Sequence, residues 1–222
     1  MKKIFFVDIL STLLAGAVSA QPRIGVTAGG TASNISRDNG QFTARCDWRF
    51  GFEAGVVADF GITNNFSVIP ELLFAQRGTI NTMRDKSTYT LNYLQLPVNF
   101  AYKLNVGHNS KLMVFAGPYA GYGLSGSLKG PVHISVGNES LGSIDIKIPF
   151  EFQTKEQDYE NLEELKMYFK PLDFGINAGL GYEVGNMFFK AQYNHGFTNY
   201  SNDKNVSFKN LNISISIGYF FY

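Results

Sequence analysis

The sequence predicts an all-β fold: an eight-stranded antiparallel transmembrane up-and-down β-barrel with short periplasmic turns and long outer loops. Three observations carry that expectation. At the C-terminal end, Leu211, Ile213, Ile215, Ile217, Tyr219 and Phe221 fall on one parity and Asn212, Ser214, Ser216 and Gly218 on the other. Period two separates the faces of a strand, so one face meets an apolar medium and the other a polar one. The N-terminus reads as an export signal, with Lys2 and Lys3, an apolar stretch from Ile4 to Val18 interrupted by Asp8, and the small-x-small site Val18-Ser19-Ala20 before Gln21. The gaps between strand-like segments, finally, alternate short and long, as they do in outer-membrane barrels.

Eight segments alternate, near residues 22–30, 48–60, 66–77, 90–104, 111–125, 172–184, 187–196 and 210–222. Most match the roughly 9 to 11 residues a tilted strand needs to cross the hydrocarbon layer. The second sets Trp48, Phe50, Phe52, Val56 and Phe60 against Arg49, Gly51, Glu53 and Asp59. The fourth sets Leu94, Leu96, Val98, Phe100 and Tyr102 against Gln95, Asn99 and Lys103, and the sixth sets Leu172, Phe174, Ile176, Leu180 and Tyr182 against Asp173, Asn177 and Glu183. Short turns at Gly61 to Asn65, Asn105 to Ser110 and Gly185-Asn186 join segments two to three, four to five and six to seven. The other gaps, 31–47, 78–89, 126–171 and 197–209, are long and are expected outside the cell. The expected organisation is a signal peptide over 1–20 and one outer-membrane barrel domain over 21–222, integral and multi-pass.

Composition excludes several classes. Acidic and basic residues nearly balance, at 18 and 19, so no basic surface for nucleic acid is expected. After residue 20 no stretch is long and apolar enough to span a bilayer as a helix, which leaves a barrel as the way to cross. Cys46 is the only cysteine, and a disulfide framework is excluded.

By parity the interior should hold Arg49, Glu53, Asp59, Glu71, Arg77, Lys103, Asp173, Glu183 and Lys190, both signs in near balance. Unpaired charges in a closed interior are costly, so most should meet an opposite partner or water. An eight-stranded barrel is just wide enough to be filled by its own side chains, and these charges read as a filling rather than a pore.

No catalytic, cofactor-binding or metal-binding residues are assigned. His108 falls in a short turn and His133 in the longest loop, while His195 stands at the outer end of a strand with Thr198 and Ser201 following. A nucleophile and base need a third, orienting group, and His195 reads instead as an amphipathic rim residue. No His or Cys pair has ligand spacing, and the acidic run Glu156, Asp158, Glu160, Glu163, Glu164 lacks the glycine of a calcium loop. Around that run Tyr159, Leu162, Leu165 and Phe169 recur at near-helical spacing, which predicts a short amphipathic helix. Before it, Ser143 to Phe152 alternates, which predicts a strand above the membrane or an extension of strand five's hairpin.

Five stretches carry a family resemblance: Gly25 to Gly30; Ile69-Pro70-Glu71-Leu72-Leu73-Phe74-Ala75-Gln76-Arg77-Gly78; Tyr93-Leu94-Gln95-Leu96-Pro97; Ala116-Gly117-Pro118-Tyr119; and Leu172-Asp173-Phe174-Gly175 leading into Gly179 to Tyr182. Together these resemble the PorT-like outer-membrane β-barrel domain family, often labelled porin family proteins. The resemblance implies the barrel and an assembly signal in the terminal aromatics, Phe221 with Tyr222, read by the barrel-assembly machinery during biogenesis. It implies no activity. The chain departs from the pattern at Gln192-Tyr193-Asn194-His195-Gly196.

The expected role is therefore non-enzymatic, structural or surface-interacting, with no cofactor. Outer-membrane lipids and the assembly machinery are the expected partners, together with a surface protein or glycan met through loop 126–171. A narrow transport pore, a soluble lipocalin-like ligand-binding barrel and an outer-membrane lipid-modifying enzyme are the alternatives.

Overall fold

The computed structural model describes residues 22–38, 46–81, 86–136, 139–152, 167–199 and 207–221. Ten strands run in order: β1 Arg23–Asp38, β2 Cys46–Gly61, β3 Phe66–Asn81, β4 Ser87–Gly107, β5 Ser110–Val136, β6 Glu139–Phe152, β7 Met167–Phe169, β8 Leu172–Val184, β9 Met187–Gly196 and β10 Ser207–Phe220. Eight close into a ring, β1-β2-β3-β4-β5-β8-β9-β10, and β10 pairs back onto β1 from Gly25↔Phe220 to Asp38↔Ser207. Every pairing within the ring is antiparallel. Closure removes the unpaired edges an open sheet would carry.

Three tight connections lie on one rim. At the β2–β3 turn the backbone amides of Asn65 and Phe66 donate to Thr63 Oγ1 at 3.3 and 3.0 Å. Between β8 and β9, Gly185 takes φ +59°, a left-handed conformation that favours glycine. The start of β1 and the end of β10 share this short-turn rim, where Phe221 N donates to Ile24 O at 2.8 Å.

Side chains alternate across the wall as the sequence predicts: Ile215 is 71% exposed, while its neighbour Ser214 is 1% exposed and faces the lumen. Around the ring the outward positions are bare apolar groups, among them Phe52, Leu96, Phe100, Val114, Phe174, Ile176, Leu180 and Ile217. Soluble monomers rarely expose apolar patches beyond a few hundred Å², so a continuous belt of this kind requires a lipid surround.

The strands outrun their expected limits on the long-loop rim. β1 continues to Asp38, β3 to Asn81, β4 begins at Ser87 and β5 reaches Val136. Alternation marks only the stretch with one oily face; beyond it both faces are wet, the pattern fades, and neighbouring strands still pair. The region expected as loop 126–171 is corrected accordingly, since both its ends are strand. Ser143 to Phe152 lies in β6, paired antiparallel with β5 as an extension of that hairpin. The expected amphipathic helix lies largely outside the described residues, and at its C-terminal end the structure has strand instead: Met167–Phe169 forms β7, parallel to β6. The expected signal peptide, Ser201 and Tyr222 also lie outside the described residues.

Candidate functional site

The lumen is built in tiers from side chains of opposed strands. Nearest the short-turn rim, Lys103 Nζ on β4 stands 2.5 Å from Asp59 Oδ2 on β2 and 2.6 Å from Glu183 Oε1 on β8. Arg23 on β1 completes the tier, paired with Asp59 and lying 2.9 Å from Glu183 Oε2. Two acids and two bases from four strands neutralise one another across this end of the barrel.

Above them lies an apolar layer of Val57, Ile69, Ala101, Met113, Phe115, Phe188 and Phe220. The aromatic and thioether groups fit because glycine faces them across the strand pair: Met113↔Gly181, Phe115↔Gly179 and Tyr119↔Gly175 between β5 and β8, and Phe188↔Gly218 between β9 and β10. A Cβ on Gly179 would come within 2.5 Å of Phe115 Cζ, and one on Gly218 within 2.1 Å of Phe188 Cζ. Each large side chain thus occupies space its neighbour leaves, which is how side chains fill a narrow lumen.

In the middle tier Lys190 Nζ on β9 meets both Glu71 carboxylate oxygens on β3, at 2.5 and 2.6 Å, and Asn99 Nδ2 donates to Glu71 Oε1 at 3.2 Å. The ammonium also lies 5.7 Å from the Phe188 ring centroid and 6.0 Å from that of Phe115, within cation–π range. Glu53 is buried beside this tier. Further up, Arg77 donates to Gln95 and lies 3.9 Å from Asp173 Oδ2, which accepts from Asn210 Nδ2 at 2.8 Å and from the Tyr119 hydroxyl at 3.3 Å.

Eight of the nine charges expected inside are therefore buried in the lumen, and seven of those make ion pairs across it. Arg49, on the inward parity opposite the buried Ser33, stands apart from them. It is half-buried near the long-loop rim, where its Nη2 donates to Gln76 Oε1 at 3.1 Å, apart from the tiers. A bulge in the β2–β3 pairing between Trp48 and Glu53 re-aims the chain there. Sequence reasoning missed Arg23 and the inward Met113, Phe115, Tyr119, Phe188 and Phe220. On β5 and β9 apolar residues occupy both parities, so alternation is silent; the signal that could have found them is the row of glycines on the facing strands.

On the outward face the apolar belt ends at a line of side-chain hydrogen bonds. Gln76 Nε2 donates to Asn92 Oδ1 at 3.2 Å, and Asn92 Nδ2 donates to Ser125 Oγ at 3.0 Å. Beyond that line β4, β5 and β6 rise together. Their inner face is closed by Leu91, Tyr93 and Phe150, with Tyr89, Leu128 and Phe152 packed against them.

The histidines do not converge. His195 is half-buried on the outward row, its Nδ1 3.4 Å from the Tyr193 hydroxyl and its ring edge-on to Phe197 at 5.5 Å. Thr198 Oγ1 accepts from Phe174 N at 2.8 Å, and His108 sits in the β4–β5 turn. Among the described residues no group of three His, Cys, Asp or Glu side chains could hold a metal ion. Phe221 is exposed on the outward row beside Tyr219, ring centroids 5.9 Å apart.

No curated protein sequence matches the chain significantly. Among solved structures, Ail, the attachment invasion locus protein of Yersinia pestis, aligns with 14% identity and a TM-score of 0.44 over 91% of this chain and 100% of its own. Neisserial surface protein A aligns with 12% identity and a TM-score of 0.45 over 91% and 100%. The outer membrane protease OmpT from Escherichia coli aligns with 10% identity and a TM-score of 0.42 over 90% and 96%. A family model described as outer membrane protein beta-barrel domain matches residues 19–202, most of the ring just described. With a closed eight-stranded ring, a lipid-facing belt and that match over most of its length, the chain belongs to the outer membrane protein β-barrel domain family.

Proposed function

We propose that this protein is a non-enzymatic, non-conducting outer-membrane barrel that acts through the strands raised on its long-loop rim. On this reading that rim is the outer one and the tight turns are periplasmic. The observation that carries it is the β5–β6 hairpin, paired from Gly126↔Phe150 to Val136↔Glu139 above the polar line that ends the lipid-facing belt. A barrel needs only a few residues to connect adjacent strands; this connection is a sheet with its own apolar packing.

We further read the chain as PorT-like, and the position of the stretches that carry the resemblance supports that reading. They supply the middle and upper lumen, with Glu71 and Arg77 from one, Tyr93 and Gln95 from another, Tyr119 from a third and Asp173 from a fourth. What such stretches encode is the filling of the barrel, which supports a scaffold role.

The test deletes residues 130–168 and asks two questions of the variant. Heat-modifiable migration and outer-membrane fractionation should match the full chain, and any partner captured by intact cells should be lost. Trypsin added to intact cells should cut at Lys147, Lys155 or Lys166 before any ring strand. Protection of those sites in whole cells, with cleavage only from the periplasmic side, would refute the orientation.

A further inference from the structure

The outward face of the raised hairpin carries a row of lysines that make no ion pair among the described residues. We propose that it is a binding site for phosphate groups of an anionic glycolipid in the outer leaflet, an inference that rests on the long-loop rim being the outer one. Backbone pairing sets Thr88, Lys129 and Lys147 side by side across β4, β5 and β6, so the two ammonium groups share one face. Like charges directly opposite one another destabilise a strand pair unless something answers them. Lys86, just before β4, adds a third, and the three lysines line an open pocket of ≈ 340 Å³ in which, among the described residues, Asp145 is the only acid. All three lysines are exposed, and among the described residues none makes an ion pair.

Where the row sits decides its ligand. Thr88 and Asn92 share the parity of Leu94 and Leu96, so this face continues the lipid-facing wall. β5 reaches the same face through a bulge: Tyr93 pairs with Gly123 and Asn92 with Ser125, leaving Leu124 as the extra residue. Without it, Lys129 would point to the inner face, where Leu128 packs near Phe150. The row stands four residues beyond Asn92, about 13 Å along the strand and about 10 Å along the membrane normal. That height belongs to headgroup sugars and phosphates, not acyl chains, and the lysines of the pocket stand on the face that continues the lipid-facing wall. A lysine ammonium binds phosphate as a point charge, and Thr88 supplies a hydroxyl donor beside it.

The test uses the full-length protein folded in detergent micelles, with bisphosphorylated and chemically dephosphorylated lipid A as probes, read by native mass spectrometry. The wild-type protein should prefer the bisphosphorylated probe. The triple variant Lys86→Gln, Lys129→Gln, Lys147→Gln should bind it at least about tenfold more weakly, close to the dephosphorylated probe. Asp145→Asn should bind it more tightly, a gain that misfolding cannot imitate. Unchanged binding in the triple variant, or a loss seen only with soluble dextran sulfate while lipid A binding persists, overturns the proposal. Lys129→Cys in a Cys46→Ser background, labelled on intact cells with a membrane-impermeant maleimide, tests the orientation separately. Absence of label there removes the outer leaflet as the source of ligand, whereas the micelle measurement reports on the site itself.

Discussion

Lys190 Nζ lies 2.5 and 2.6 Å from the two carboxylate oxygens of Glu71, and the strands that hold them, β9 and β3, are diametrically opposite in the ring. A single ion pair therefore spans the full width of the barrel. On the filled-lumen reading, the charged tiers and the Phe115–Phe188–Phe220 layer between two of them interrupt a continuous aqueous path at several heights. Planar-bilayer recordings of the purified protein should show no steady conductance of porin size. Stable, reproducible open levels would overturn the filled-lumen reading.

Removing one partner of that pair leaves the other buried and unpaired. Glu71→Ala is expected to destabilise the barrel by about 3–5 kcal/mol, whereas Glu71→Leu combined with Lys190→Leu should recover most of the loss. Urea unfolding in micelles, followed by fluorescence of the single tryptophan, Trp48, checks both values. Equal stability of Glu71→Ala and the wild type would mean that the pair is not formed in solution.

The pairing of large side chains with glycine makes a second, independent test of lumen packing. A Cβ at position 218 would stand 2.1 Å from Phe188 Cζ, so Gly218→Ala should cost about 1–3 kcal/mol. In a Phe188→Leu background the same change should cost less, because the ring it strikes is gone and only the Val26 carbonyl oxygen, 2.6 Å from that Cβ, still crowds it. A double-mutant cycle measures the difference; additive costs would show that the two residues do not meet.

Phe221 stands on the outward row just past β10, where a carboxylate would meet lipid or its interface. Phe221→Asp should sharply lower the amount of protein assembled into the outer membrane, and Phe221→Leu should not. Levels quantified by fractionation and heat-modifiable migration check this. Ser214 supplies the inward comparison, and there the structure sharpens the choice of substitution. It is 1% exposed in the closed lumen, so the suitable replacement is Asn, not a charged group.

Alternation is a local property, and what depends on it was legible in the sequence alone: the eight ring strands, the inward and outward faces of β2, β4, β8 and β10, the short-turn rim and the inward placement of Glu53, Asp59, Glu71, Arg77, Lys103, Asp173, Glu183 and Lys190. Which of those charges meet was not legible. Lys190 reaches Glu71, and Lys103 reaches both Asp59 and Glu183, because the stagger of the closed sheet sets their relative heights, and stagger belongs to the whole ring. The same reason hid the match of Phe115 to Gly179 and of Phe188 to Gly218, each a pairing between segments far apart or joined only through the register. At the long-loop rim the tertiary structure decided most. Above the lipid boundary both faces of a strand are wet and period two no longer separates them, so the rise of β5 and β6, and the bulge that turns Lys129 outward, follow from strand pairing and not from any pattern in the residues themselves.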